Sequence, residues 1–231
     1  AHATFFMLGQ NVQNYQDDVK RMLELGCEIG NHSWDHANMY ELSLDSVVKE
    51  FNDADQALID ACGQASTVVR APYGNANEDI MNAVGKPFFM WSLDSLDWKY
   101  KDVDLDYKSI MQDNSSVIKD GTIILMHDIH EPSVKAAERI IPVLINMGFK
   151  LVTVSEMAEA KNVTLQNASY NNFWQDILDE GLVPGYAGNS TSDADTSDST
   201  EDSSDGSEDG SSSDGSEDYS DGSEDGSNSS E

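Results

Sequence analysis

From Ala1 to Lys161 the chain alternates between short apolar runs and longer stretches in which apolar residues recur every three or four positions. The short runs predict strands over 3–8, 27–31, 66–70, 87–94, 121–127 and 149–154, because a brief apolar run bounded by turn residues suits a buried strand. The periodic stretches predict helices over 11–25, 43–62, 77–84, 105–112, 133–147 and 155–161. In the first of these Val12, Tyr15, Val19, Met22 and Leu23 form the apolar stripe, Ser43 is placed to cap the second, and Gly148 ends the fifth. Six strands joined by helices predict a parallel sheet, open or closed into a barrel. In either form, reactive residues gather at the carboxyl ends of the strands. Four polar groups do so here: His32 after 27–31, Arg70 at the end of 66–70, Asp94 and Asp97 around the end of 87–94, and His127 at the end of 121–127.

Past Asn162 the rhythm fades, and residues 162–189 read as a linker in which Phe173 to Leu178 could form one short helix packing on the domain. From Ser190 onward the text is Ser, Asp, Glu and Gly, with Asp-Gly-Ser-Glu-Asp recurring at 205–209, 214–218 and 221–225. With almost no apolar surface to bury, such a segment cannot offset the entropy of ordering, so a disordered acidic tail is expected over 190–231. A solvating linker or stalk is the expected role, ahead of calcium binding.

The formal charge of −30 over 231 residues is concentrated in that tail, yet residues 1–161 are also acidic, because their 25 Asp and Glu outnumber the chain's 13 Lys and Arg. The basic residues form no cluster. This argues against nucleic acid and anionic membrane as partners, since binding phosphates takes grouped Lys and Arg. No apolar run approaches the ~20 residues of a membrane span. Residues 1–161 suffice for one domain with its own core, and a monomer is expected. Cys27 and Cys62 lack metal-site spacing and are expected as unpaired thiols.

His32 and His36 stand four apart just past a strand, so two neutral imidazoles could converge on one divalent ion if the turn is helical; zinc, cobalt or nickel would suit them. A catalytic metal usually takes a third protein ligand, and Asp35 and Asp94 are candidates by spacing. In Arg70-Ala71-Pro72-Tyr73-Gly74 the guanidinium could clamp a carboxylate near the metal, and the tight turn could turn a backbone N–H into the cleft as an oxyanion donor. The stretch Trp91 to Trp98 sets Asp94, Asp97 and an aromatic ring beyond a strand, where an Asp could orient a histidine. His127 ends a buried run at the lip of the cleft, a place for a general acid, and His130 follows it on the loop.

Together these segments resemble the polysaccharide deacetylases with the NodB-type domain, carbohydrate esterase family 4, across about residues 1–160. The resemblance rests on H-[ST]-x-x-H at His32 to His36, R-x-P-x-G at Arg70 to Gly74, D-x-x-D-W at Asp94 to Trp98 and L-x-H at Leu125 to His127. It implies an α/β fold, a distorted (β/α) barrel, that removes N- or O-acetyl groups from sugar polymers such as chitin oligomers, peptidoglycan or acetylxylan, with a divalent metal, zinc foremost. It makes His32 and His36 metal ligands, His127 the general acid and Asp97 its tuner. Arg70 would orient the catalytic base, Tyr73 would lend its N–H to the oxyanion, and Pro72, Trp98 and Leu125 would line the acetyl pocket. An acetylated polysaccharide is the implied partner, and an extracellular or surface location in a bacterium the implied setting. The family's first motif, T-F-D-D-G, which supplies base and third ligand, does not occur in this sequence. The barrel is therefore expected to lack its first strand, with that motif upstream of Ala1, and the chain as written is expected to have little or no activity. A non-catalytic carbohydrate-binding domain on an acidic stalk is the alternative.

Overall fold

The structure, a computed structural model, describes residues 1–188, and the tail expected over 190–231 lies outside the described residues. The chain opens with β1 (Thr4–Met7), α1 (Gly9–Val12), α2 (Gln16–Glu24), β2 (Glu28–Asn31), α3 (Leu44–Cys62) and α4 (Glu78–Val84). It continues with β3 (Phe88–Phe89), β4 (Leu93–Asp94), α5 (Asp97–Tyr100), α6 (Val103–Lys108), β5 (Ile124–Leu125), α7 (Glu131–Asn146), α8 (Val154–Ala160), β6 (Ser169–Tyr170) and α9 (Gln175–Asp179).

The ladders between these strands are all parallel: β1 pairs with β2, β3 with β6 and β4 with β5. Val69 bridges Asn31 on one side and Phe88 on the other, so β1, β2, Val69, β3 and β6 form one continuous run. The expected strand 66–70 is thus a single bridging residue. The expected strand 87–94 is two strands with different partners, broken at Met90 to Ser92. Residues 149–154 form no ladder, although the Leu151 carbonyl accepts from the His2 amide at 3.0 Å.

The helices follow the apolar stripes more closely. Ser43 caps α3 by accepting from the Ser46 amide, and Gly63, at φ 84°, closes it. The expected helix 11–25 is divided into α1 and α2 at residues 13–15, and α1 packs closely on α3: a Cβ on Gly9 would stand 2.6 Å from Ala54 Cα. Helix α6 passes into a wider turn over Ser109–Asp113.

The stretch read as a linker is part of the core, and the short helix expected within it is present as α9. Tyr170, Phe173, Leu178 and Val183 are buried against Val68 and Phe89, with Tyr170 stacked between Phe89 at 5.2 Å and Phe173 at 5.8 Å. The packed unit therefore extends through Val183 rather than ending at Lys161. A two-residue strand flanked by turns leaves no periodic trace, which is why the pattern faded there. Both cysteines are free thiols, and among the described residues no helix is long and apolar enough to cross a membrane.

Candidate functional site

Four of the chain's carboxyl strand ends bring their polar residues to one region. His32 follows β2, and its Nδ1 lies 2.7 Å from the Arg70 carbonyl. A carbonyl only accepts, so Nδ1 carries the hydrogen and a neutral ring leaves Nε2 free. Burial holds the His32 pKa down to about 3, against the pull of that hydrogen bond, with the charges of His36, Arg70 and His127 adding to the depression. His36 is lowered as well, by burial first and then by the charge of His127. The two rings at 32 and 36 meet edge to face at 4.9 Å.

The turn that joins them is not helical, as metal convergence had been expected to require. Ser33 and His36 both take left-handed backbone angles, φ 69° and 71°, which cost energy for residues with a side chain. The Asn31 side chain accepts from the Ser33 amide at 2.9 Å, and Ser33 Oγ accepts from the His36 amide at 3.1 Å. Two neutral nitrogens so placed fit a divalent ion as part of its ligand set. Neither candidate for the third ligand joins them: Asp35 accepts from the Ala37 amide and Asp94 from the Leu96 amide. Among the described residues no three His, Cys, Asp or Glu side chains are arranged to hold a metal ion.

Asp97 and His127 form the second part of the site. Asp97 has no exposed surface, and its carboxylate accepts from the His127 amide at 2.6 Å, from His127 Nδ1 at 2.8 Å and from the Trp98 amide at 2.8 Å. Burial alone would raise this carboxyl, but the bonds from His127 and Ser95 outweigh it and hold it below the ordinary carboxylate range. An ionised Asp97 fixes His127 with Nδ1 protonated and turns Nε2 outward.

Arg70 departs from expectation. No carboxylate pairs with it among the described residues; its Nε donates to the Phe89 carbonyl at 2.8 Å and Nη2 to the Met90 carbonyl at 3.0 Å. Its Cζ rests 4.3 Å above the Phe6 ring, and burial pushes its pKa down to about 10. Pro72 is buried at the start of the following turn, while Tyr73, at φ 59° and 64% exposed, lays its ring 4.6 Å from His36. The Tyr73 amide meets no acceptor among the described residues. Leu125 is buried at the end of β5, Trp98 is half exposed on α5, and His130 stands at the start of α7 without capping it.

Sequence reasoning passed over Asn31, Glu50 and Asp55, which hold the His32–His36 turn from behind. A polar Asn ending the run Glu28-Ile29-Gly30-Asn31 was the available signal; the two acids on α3 gave none.

A family profile described as polysaccharide deacetylase matches residues 1–87. A peptidoglycan-N-acetylmuramic acid deacetylase, PdaC of Bacillus subtilis, is 39% identical over 160 residues, which are 69% of this chain and 33% of that protein. The chain thus spans about a third of the length of that relative. The solved structure of the same deacetylase superposes with a TM-score of 0.66 at 38% identity, covering 70% of this chain and 78% of that one. A family 4 acetyl xylan esterase from Clostridium thermocellum, solved in complex with a cobalt ion, superposes with a TM-score of 0.68 at 29% identity, covering 74% of this chain and 85% of that one.

Proposed function

The chain belongs to the polysaccharide deacetylase family, and from that premise we propose that it removes N- or O-acetyl groups from an acetylated polysaccharide, with peptidoglycan foremost and chitin oligomers or acetylxylan as alternatives. The observation that carries the reading is the buried Asp97 carboxylate holding His127 within electrostatic reach of two neutral imidazoles. The parallel ladders are taken as arcs of the family's distorted barrel.

His32 and His36 would hold the divalent metal, zinc or in its place cobalt or nickel, and the ion when bound supplies Lewis acidity toward an acetyl carbonyl and an attacking water. His127 delivers a proton from Nε2 to the departing amine or alkoxide. Asp97 keeps that ring in the tautomer and orientation the transfer needs. The unpaired Tyr73 amide donates to the developing oxyanion, Pro72, Trp98 and Leu125 shape the acetyl pocket, and the buried charge of Arg70 is free to orient a carboxylate. No carboxylate pairs with Arg70 among the described residues, and neither Asp35 nor Asp94 joins the two histidines in a ligand set. The 231 residues alone are therefore expected to release acetate slowly or not at all. A peptidoglycan substrate accords with an extracellular or surface location in a bacterium and with action as a monomer.

Acetate release is to be measured from peptidoglycan, chitin oligomers and acetylxylan, by the chain alone and by a longer form in which a strand bearing T-F-D-D-G is fused ahead of Ala1, with and without chelator. Chelator-sensitive release lost in His127→Ala supports the reading; no release by either form from any of the three sinks it. The missing third ligand favours one rival, a domain that binds saccharide without cleaving it. That rival predicts oligosaccharide binding by calorimetry with no acetate released by the longer form.

A further inference from the structure

The turn carrying His32 and His36 is strained at two residues and is held from outside: the Met7 carbonyl accepts from the His32 amide, and the Gly9 and Gln10 amides donate to the Ser33 and Trp34 carbonyls. Helix α3 adds contacts at three points, Glu50, Phe51 and Asp55. Glu50 accepts from the Trp34 amide at 3.0 Å and the Asp35 amide at 3.3 Å. The Phe51 carbonyl and Asp55 Oδ1 accept the two hydrogens of the Asn31 side-chain amide, at 2.7 and 2.9 Å. Asn31 is fully buried, and with both donors taken by α3 its one oxygen can face only the Ser33 amide. Asp55 is held in turn by Ser66 and by a salt bridge to Lys86, both partners being largely buried. The chain of contacts Lys86, Asp55, Asn31, Ser33 ends on the backbone of His36.

We propose that Glu50 and Asp55 of α3 are positioning residues that set the geometry of the His32–His36 turn, Glu50 by gripping the two amides at its apex and Asp55 by fixing Asn31 at its root. The proposal rests on the reading that this turn carries metal ligands, and neither acid touches the reacting atoms. Residues that orient ligands in this way commonly change metal affinity by about 10- to 100-fold when removed. The two acids differ in what they tolerate. Glu50 is half-buried and needs only an acceptor, so Glu50→Gln should retain most of the grip where Glu50→Ala loses it. Asp55→Ala leaves Lys86 buried without its counter-charge and is expected to damage the fold as well.

The test uses the full chain and its Glu50→Ala and Glu50→Gln variants, with three readouts. Amide hydrogen exchange at Trp34 and Asp35 and the imidazole nitrogen resonances of His32 and His36 report the turn directly; cobalt(II) titration by absorbance reports ligand convergence; thermal unfolding reports general damage. The expected result is exchange about tenfold faster at those amides in Glu50→Ala, in line with losing bonds to a charged acceptor. Shifted imidazole resonances, cobalt binding weakened by about 10-fold or more, and recovery of all three in Glu50→Gln complete the pattern. Unmoved exchange and imidazole resonances in Glu50→Ala overturn the inference whether or not cobalt binds. A wild-type chain that binds no cobalt, while Glu50→Ala still shifts the imidazoles, overturns the metal reading and leaves the positioning role supported.

Discussion

Asp97 offers the sharpest test of how the site is held together. Replacing it by Ala strands three hydrogen-bond donors at once: the His127 amide, the His127 ring and the Trp98 amide. A bond to a charged acceptor contributes about 1.5–3 kcal/mol, so three would suggest a cost near the top of what single substitutions produce. Two of the three recover part of it, since Trp98 is half exposed and a third of the His127 side chain faces solvent. A loss of about 3–5 kcal/mol at neutral pH is therefore expected for Asp97→Ala. Asp97→Asn keeps one acceptor but turns an NH2 toward a donor, and about 2 kcal/mol is expected. The assay is urea unfolding followed by tryptophan fluorescence, repeated from pH 7 down to pH 3. Because the folded carboxyl lies below its ordinary value of about 3.9, the advantage of wild type over Asp97→Asn should be fully present above about pH 4 and shrink as the pH falls further. A gap that is constant into acid, or that widens there, would refute the reasoning, as would a cost below about 1 kcal/mol for Asp97→Ala.

Three further outcomes follow from the packing. Ending the chain at Lys161 removes the aromatic partners of Phe89 and should abolish cooperative unfolding, whereas ending it at Gly188 should leave the transition intact by calorimetry. Gly9→Ala forces a Cβ within 2.6 Å of the α3 backbone and 2.7 Å of the Trp34 ring, and should cost about 1–3 kcal/mol by chemical denaturation. Arg70→Lys keeps the charge but loses the planar fork that meets two carbonyls and lies on Phe6, and should lower the unfolding free energy by about 2 kcal/mol; a neutral substitution would show that the fork is dispensable.

The class of fold was legible because parallel strands buried on both faces write themselves as apolar runs, and the helices between them as stripes. What the runs hid was how little of each is paired. The break between β3 and β4 carries no turn residue to announce it: Met90 and Trp91 are as apolar as the strands they part, and Ser92 alone interrupts the run. In segment 169–183 only the short helix was legible, and the rest was read as linker because Tyr170 and Phe173 bury themselves singly rather than as a face. Within the site, residues that follow apolar runs were readable: His32, Arg70, Asp97 and His127 all lie where the strand ends predicted. The carboxylate partner expected for Arg70 and the third ligand expected from Asp35 or Asp94 were not found, because spacing along the chain does not say which way a side chain turns at a loop. Asn31, Glu50 and Asp55 act across α3 and the turn, and such distances in sequence leave no local mark.

The way β6 joins the domain also bears on how it can be made. The last strand seals Phe89, His2 reaches Glu156 at a separation of 154 positions, and Ser155 reaches Glu28 at 127. Contacts so far apart form late and slowly. On the ribosome, the earlier part of the chain must wait with Val68 and Phe89 bare until the sequence around Tyr170 emerges, and during that interval the unfinished edge beside β3 is open to pairing with other chains.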